Sequence, residues 1–272
     1  MSFVLRGINV RHAAAERSDS GRALNEVNLS IEQGERIALI GPSGAGKTTL
    51  LHTLACAHQA ESGDFFAFGV APWSLNHAER HALRARFFLA PQTPPLPPRQ
   101  RVVTTVLAGR LPQWGFWKAI ASLIKPGDVD AAYDALALFD LQEKLYARVD
   151  RLSGGERQRC GMARLLVSGA DTFLVDEPLS ALDPALSLQT LDVLLNEASR
   201  RNATLVCSLH QVELALSHFP RIVGLRNGRI VFDAARSEVT ASMIATLYQN
   251  AGHAEPNDVS TPLQPAFISA RC

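Results

Sequence analysis

Arg36-Ile37-Ala38-Leu39-Ile40-Gly41-Pro42-Ser43-Gly44-Ala45-Gly46-Lys47-Thr48 decides how this chain folds. Arg36 to Ile40 reads as a buried strand, Gly41 to Gly46 as a loop of small residues, and a helix starts near Gly46. Strand, glycine loop and helix in that order make a phosphate site. Small residues let the backbone curl until successive amides face a phosphate, and the helix adds the positive end of its dipole. Lys47 then reaches the β- and γ-phosphates of a nucleotide and Thr48 ligates Mg2+, while Gly41, Pro42, Ser43, Gly44, Ala45, Gly46 and Thr49 complete the loop. The competing reading is a chance Gly-rich turn, but an accidental Gly-Lys-Thr rarely falls between a strand and a helix.

The flanking segments supply a sheet for this loop. Upstream, Val27, Leu29 and Ile31 alternate with Asn28 and Ser30 as a half-buried strand, followed by a turn at Gln33-Gly34. Downstream, Thr172 to Val175 and Thr204 to Leu209 are apolar runs suited to inner parallel strands, with helical spacing from Pro184 to Arg201 between them. Asn227-Gly228 joins Arg221–Arg226 to Arg229–Asp233 as a hairpin expected to close the main domain. From Arg99 to about Asp150 the pattern is helical, with Asp128 as N-cap and Val129, Tyr133, Leu136 and Phe139 as one apolar stripe. Gly252 to Cys272, with three prolines and no periodicity, is expected to be disordered.

Four further features carry chemistry. Asp176-Glu177 ends the strand Phe173-Leu174-Val175, the end at which open α/β sheets bind ligands. Beside a phosphate loop, Asp176 suits the outer shell of Mg2+ and Glu177 suits a general base for the attacking water; without that loop the pair reads as a cap or a solvated acidic face. His210 leaves the next strand end, where its ring can donate to a γ-phosphate or serve as an ordinary structural histidine. Gln92 is either a loop residue or an amide ligand of Mg2+. In Leu152-Ser153-Gly154-Gly155-Glu156, Ser153 and Glu156 form a capping box, in isolation no more than a helix start.

In this order the motifs resemble the nucleotide-binding subunit of ATP-binding cassette transporters, over nearly all of Phe3 to Val239. The resemblance implies an α/β fold: a P-loop NTPase core of mostly parallel sheet with an antiparallel β subdomain, spanning 1–250 with a helical subdomain inserted at about 93–165. It makes Gln92 the Q-loop residue, Leu152 to Glu156 the signature, Ser180-Ala181-Leu182-Asp183 the D-loop and His210 the switch histidine. It also implies a head-to-tail dimer in which Ser153, Gly154, Gly155 and Asp183 serve the ATP held by the other copy. Lys47, Glu177 and His210 would carry the hydrolysis of ATP, with Mg2+ at Thr48, Gln92 and Asp176. Val106 to Ile124, Cys207 to Leu216 and Gly228 to Asp233 look most like the ATPases of phosphonate importers; ATPases importing phosphate, phosphite or amino acids share the catalytic set. Partners implied are a second copy or a sister ATPase, a transmembrane permease and, indirectly, an extracytoplasmic solute-binding protein, at the cytoplasmic face of the inner membrane. A soluble mechanoenzyme of the same class, acting on nucleic acid or ribosomes, is disfavoured by the lack of a long coiled coil or second cassette.

Two departures stand out. No Phe, Tyr or Trp lies between Phe3 and Phe65 to stack on adenine, and His12 falls nearest that position, as a weaker stacking group or merely an exposed residue. Pro94-Pro95-Leu96-Pro97-Pro98 follows Gln92, as a modifier of Q-loop coupling or a rigid connector. Leu111, Trp114, Trp117, Ile120 and Ile124 form a further stripe, read as core of the helical insert in preference to a membrane- or permease-facing surface.

Composition sets the remaining bounds. Over 272 residues the formal charge is +1, so no global field calls for nucleic acid. The four cysteines lack Cys-x-x-Cys spacing and suit free thiols better than disulfides or zinc. No run of about eighteen apolar residues occurs, so any membrane role is expected through a partner.

Overall fold

The structure is a computed structural model that describes residues 2–11, 22–124 and 127–249. His12 and the 251–272 tail lie outside the described residues. The elements in chain order are β1 (Phe3–Arg11), β2 (Arg22–Ile31), β3 (Arg36–Ile40), α1 (Lys47–Leu54), β4 (Ser62–Ala67), α2 (His77–Arg84), β5 (Phe87–Ala90), α3 (Val102–Leu107), α4 (Phe116–Ile124), α5 (Val129–Ala137), α6 (Gly154–Val167), β6 (Thr172–Asp176), α7 (Pro184–Arg200), β7 (Thr204–Ser208), α8 (Val212–His218), β8 (Arg221–Arg226), β9 (Arg229–Ala235) and α9 (Ala241–Tyr248).

Two sheets form. β2-β1-β4 is antiparallel, and the larger sheet runs β5-β6-β7-β3-β8-β9, parallel except where β8 meets β9. The middles of the inner strands β3, β6 and β7 are apolar because both faces are covered. Their period of two divides the core: Ile37, Leu39, Leu174 and Val206 face the antiparallel sheet and Leu50 and Leu54 of α1. Ala38, Ile40, Phe173, Val175, Leu205 and Cys207 face the opposite way, into the layer containing α5, α6 and α7. This sandwich fixes β3, β6 and β7 side by side with their C-terminal ends together, which is where the loop and the carboxylates emerge.

The hairpin turns at Asn227 and Gly228, with φ of 49° and 73°, the positive values that a two-residue turn requires. Its tip is tied to the site, since Gly228 N–H donates to the Ala45 carbonyl at 3.0 Å and Asn25 N–H to the Gly228 carbonyl at 2.8 Å. The hairpin does not close the domain: α9 follows, burying Leu247 and packing beside β8.

The helical stretch corrects three expectations. Leu136 and Phe139 are buried as read, but Tyr133 is 47% exposed, because Ala132 and Ala135 turn the buried face of α5 away from it. Asp128 stands before α5 without capping it; its carboxylate pairs with Arg110 instead. From Leu111 to Ile120 the stripe is not core. Trp117 is 80% exposed, with Leu111 and Ile120 about half as much, and of these four residues Trp114 alone packs against the core, under the Lys118 ammonium at 5.3 Å. The spacing misleads because the chain is a 3-10 turn from Ala108 to Gln113 and extended at Trp114, so the residues on either side do not share one helix. The proline run lies on α6: Pro94 packs against Gly161, and the Pro95 and Pro98 carbonyls accept from Arg164 and from Asp150 N–H.

Candidate nucleotide site

β3 delivers the chain to Gly41, whose φ of 151° and position against the Leu225 carbonyl, 2.0 Å from where a Cβ would sit, leave room for no side chain. The loop turns through Ala45 N–H to the Pro42 carbonyl and enters α1 at Gly46, in the left-handed region, with no side chain capping the helix. An uncapped N-terminus presents its first amides to the cleft outside. Lys47 is 5% exposed and folds across this loop, its Nζ donating to the Gly41 and Pro42 carbonyls at 2.8 and 3.1 Å. Burial pulls its ammonium below the usual lysine range, against the opposing pull of the Glu177 and Asp176 carboxylates.

Those carboxylates end β6. Asp176 is buried and accepts from Thr48 Oγ1 at 2.8 Å through one oxygen and from Ser208 Oγ at 2.6 Å through the other. Glu177 turns out of the strand at φ 47°, a left-handed conformation rare for a residue with a side chain and common at functional sites. Its Oε1 meets His210 Nε2 at 2.5 Å and its Oε2 accepts from Gln92 Nε2 at 2.7 Å. Residues 43–49, Gln92, Glu177 and His210 line one cleft of about 520 Å3, a volume suited to a nucleotide.

Two groups at this site escape the sequence reading. Arg22 and Ala23 line the same cleft; they start β2, and only the fold brings that start to the mouth, with the Ala23 carbonyl against Gly46 and Gly228. Ser208 is the other, its one signal being a hydroxyl that ends the apolar run Leu205-Val206-Cys207.

Ser153, Gly154, Gly155 and Asp183 do not line the cleft. They gather elsewhere: a Cβ on Gly155 would lie 3.0 Å from the Ala181 carbonyl, so the start of α6 packs on the 180–183 loop, while the Asp183 carboxylate caps α7 by accepting from Leu186 N–H at 3.0 Å. The capping box is present, with Glu156 N–H donating to Ser153 Oγ at 3.2 Å and Ser153 N–H to Glu156 Oε2 at 2.7 Å. The Ser153 amide, with Lys144 assisting, holds the Glu156 carboxyl below its usual range. A folded-state value below the unfolded one gives stability that is present above the ordinary carboxylate range and is lost as pH falls through the folded value. Glu156→Ala is therefore expected to cost about 1 kcal/mol in urea unfolding at pH 7. The difference from the parent protein shrinks toward zero as pH falls through the folded-state value; a cost that stays constant with pH would contradict it.

The three cysteines described are buried free thiols, and burial pushes Cys56 and Cys160 up to about 12, so they are inert packing groups. Among the described residues, no helix is long and apolar enough to cross a membrane.

A parallel sheet, an amide-lined loop at a helix start and two carboxylates at the end of β6, one strand removed from the strand that carries the loop, define a P-loop nucleoside triphosphatase. The sequence profile of ABC transporters matches residues 24–180. The chain belongs to that family, as an ATP-binding, ATP-hydrolysing subunit. Its relatives include the phosphonates import ATP-binding protein PhnC 2 of Albidiferax ferrireducens, 51% identical over all of both chains. PhnC of a Polaromonas species is 52% identical over 98% of this chain and 95% of its own, and PhnC 2 of Pseudomonas aeruginosa 52% over 92% of each. In fold the chain is similar to an ATP-binding cassette solved as a dimer in a post-hydrolysis state with ADP and phosphate, at TM-score 0.74 and 22% identity, covering 86% of this chain and 98% of that one. It is likewise similar to cbiO1 of Clostridium perfringens, at TM-score 0.71 and 19% identity, over 91% and 94%.

Proposed function

We propose that two copies of this chain form the ATP-driven clamp of a phosphonate importer, working beneath a membrane permease at the cytoplasmic face of the inner membrane. One observation carries the dimer: the cleft holding Lys47, Glu177 and His210 does not contain the Ser153–Gly155 helix start, although both are built to receive an anion. Two such chains placed head to tail bring each helix start to the other copy's cleft, and Asp183, at the same cluster, lies on the same surface.

Within the cleft, the amides of α1 and Lys47 hold the β- and γ-phosphates. The oxygen donors Thr48, Gln92 and Asp176 fit a hard divalent cation and would hold Mg2+, which when bound supplies positive charge to the polyphosphate. Glu177 takes the proton of the attacking water, while Gln92 and His210 hold its two oxygens. The γ-phosphate bridges the two copies, so its loss lets the clamp open. His12 is proposed to stack on the adenine ring, and residues from about 93 to 165 to form the helical subdomain that passes movement to the permease. An extracytoplasmic binding protein would present the solute.

The phosphonate assignment rests on the names of the relatives, at about half the sequence shared over the full chain. It is tested by reconstituting the chain with its permease and binding protein and measuring ATPase stimulation by phosphonates, phosphate, phosphite and amino acids. Selective stimulation by phosphonates is expected, and equal or greater stimulation by another solute would overturn the assignment.

A further inference from the structure

Ser208 is the last residue of β7 and fully buried, and the parallel register sets it opposite Asp176 of β6 on one side and Leu39 of β3 on the other. The run Thr204-Leu205-Val206-Cys207-Ser208 would accept a small apolar residue there at no cost to the strand. A hydroxyl removed from water is tolerated only where its hydrogen-bonding capacity is used. Here both halves of it are used. The proton goes to Asp176 Oδ1 at 2.6 Å, and the oxygen accepts the Glu177 N–H at 2.9 Å.

These two bonds link the groups that the chemistry needs. Asp176 Oδ2 is already engaged by Thr48 Oγ1, so Glu177 N–H, Ser208 O–H, the Asp176 carboxylate and Thr48 O–H form one continuous chain across three separate segments. Glu177 occupies φ 47°, a backbone state unfavourable for an L residue that persists only where surrounding bonds determine it. The Ser208 oxygen is the acceptor that holds the amide of that strained residue, and the strained turn is what aims its carboxylate toward Gln92 and His210.

We propose that Ser208 is a positioning residue for ATP hydrolysis: one buried hydroxyl fixes the carboxylate of Asp176 and, through the Glu177 amide, the left-handed turn that presents the base. It couples the metal-side carboxylate to the base, so that neither can move without the other. This inference rests on Glu177 being the base.

The test uses the full chain with Ser208→Ala, Ser208→Thr and Glu177→Gln. Ser208→Ala removes a single oxygen and is expected to lower kcat about ten- to hundredfold, the scale of a lost hydrogen bond to a charged group, with KM for ATP within about twofold. Ser208→Thr keeps the hydroxyl and is expected to stay within about threefold of the parent. Amide exchange supplies a reading independent of turnover: in Ser208→Ala the Glu177 amide exchanges at least about tenfold faster, while the Val175 amide inside β6 is unchanged. A merely space-filling serine would leave kcat and the Glu177 amide as they were. Parent-like kcat in Ser208→Ala, or unaltered exchange at Glu177, overturns the inference while Glu177→Gln remains inactive. Normal turnover by Glu177→Gln overturns the reading of the base itself, and the role of Ser208 with it.

Discussion

Glu177→Gln is expected to stop ATP hydrolysis, lowering kcat about 10²- to 10⁴-fold, while ATP still binds with affinity close to that of the parent. The substitution preserves the shape of the side chain and removes its basicity. Glu177 is largely buried, held by His210 on one oxygen and by Gln92 on the other, so the carboxylate has one orientation, and both oxygens of Asp176 are already engaged by Thr48 and Ser208. The groups proposed to hold the phosphates lie on a different segment, the loop and Lys47, and the substitution leaves them intact. Phosphate release and equilibrium ATP binding, measured on the same preparation, separate the two effects. Loss of binding together with turnover would mean that Glu177 holds the nucleotide and does not act on water.

Lys47→Ala is expected to have the opposite signature, weakening ATP binding about 100-fold or more. A charge-assisted hydrogen bond to phosphate contributes about 1.5–3 kcal/mol, and here its loss also leaves Asp176 and Glu177 facing the triphosphate with their neighbouring cation gone. Burial already strains the lysine ammonium in the free protein, so removing it is expected to leave thermal stability unchanged or slightly raised. Calorimetric titration with ATP, beside a melting curve, checks both halves. Near-parent affinity would remove Lys47 from the phosphate site.

What could be read from the sequence was local. The phosphate loop, the Ser153–Glu156 box and the Asn227-Gly228 turn each depend on residues a few positions apart, and the geometry of one turn is enough to specify them. Asp176 and Glu177 were legible because an apolar strand ends at them. Arg22 and Ser208 were not, because their positions follow from contacts between segments far apart in the chain: the Ala23 carbonyl against Gly46 and Gly228, Ser208 opposite Asp176. Local pattern also failed where a break hides inside it. The stripe from Leu111 to Ile124 has helical spacing, yet the extended residue at Trp114 divides it and leaves Trp117 in solvent. On α5 two alanines, weak in any hydrophobic pattern, define the buried face better than Tyr133 does. Asp128 had the right position for a cap and a stronger partner in Arg110.

The central claim is that each ATP lies between the loop of one copy and the Ser153–Gly155 helix start of the other. Sedimentation of Glu177→Gln tests it, because a chain that binds ATP without hydrolysing it should accumulate the closed clamp. The expected result is a dimer with ATP and a monomer without it, and a return to monomer when Gly154→Arg is added, with one ATP still bound per chain. A Glu177→Gln chain that stays monomeric with ATP bound, or a dimer indifferent to Gly154→Arg, would contradict the account.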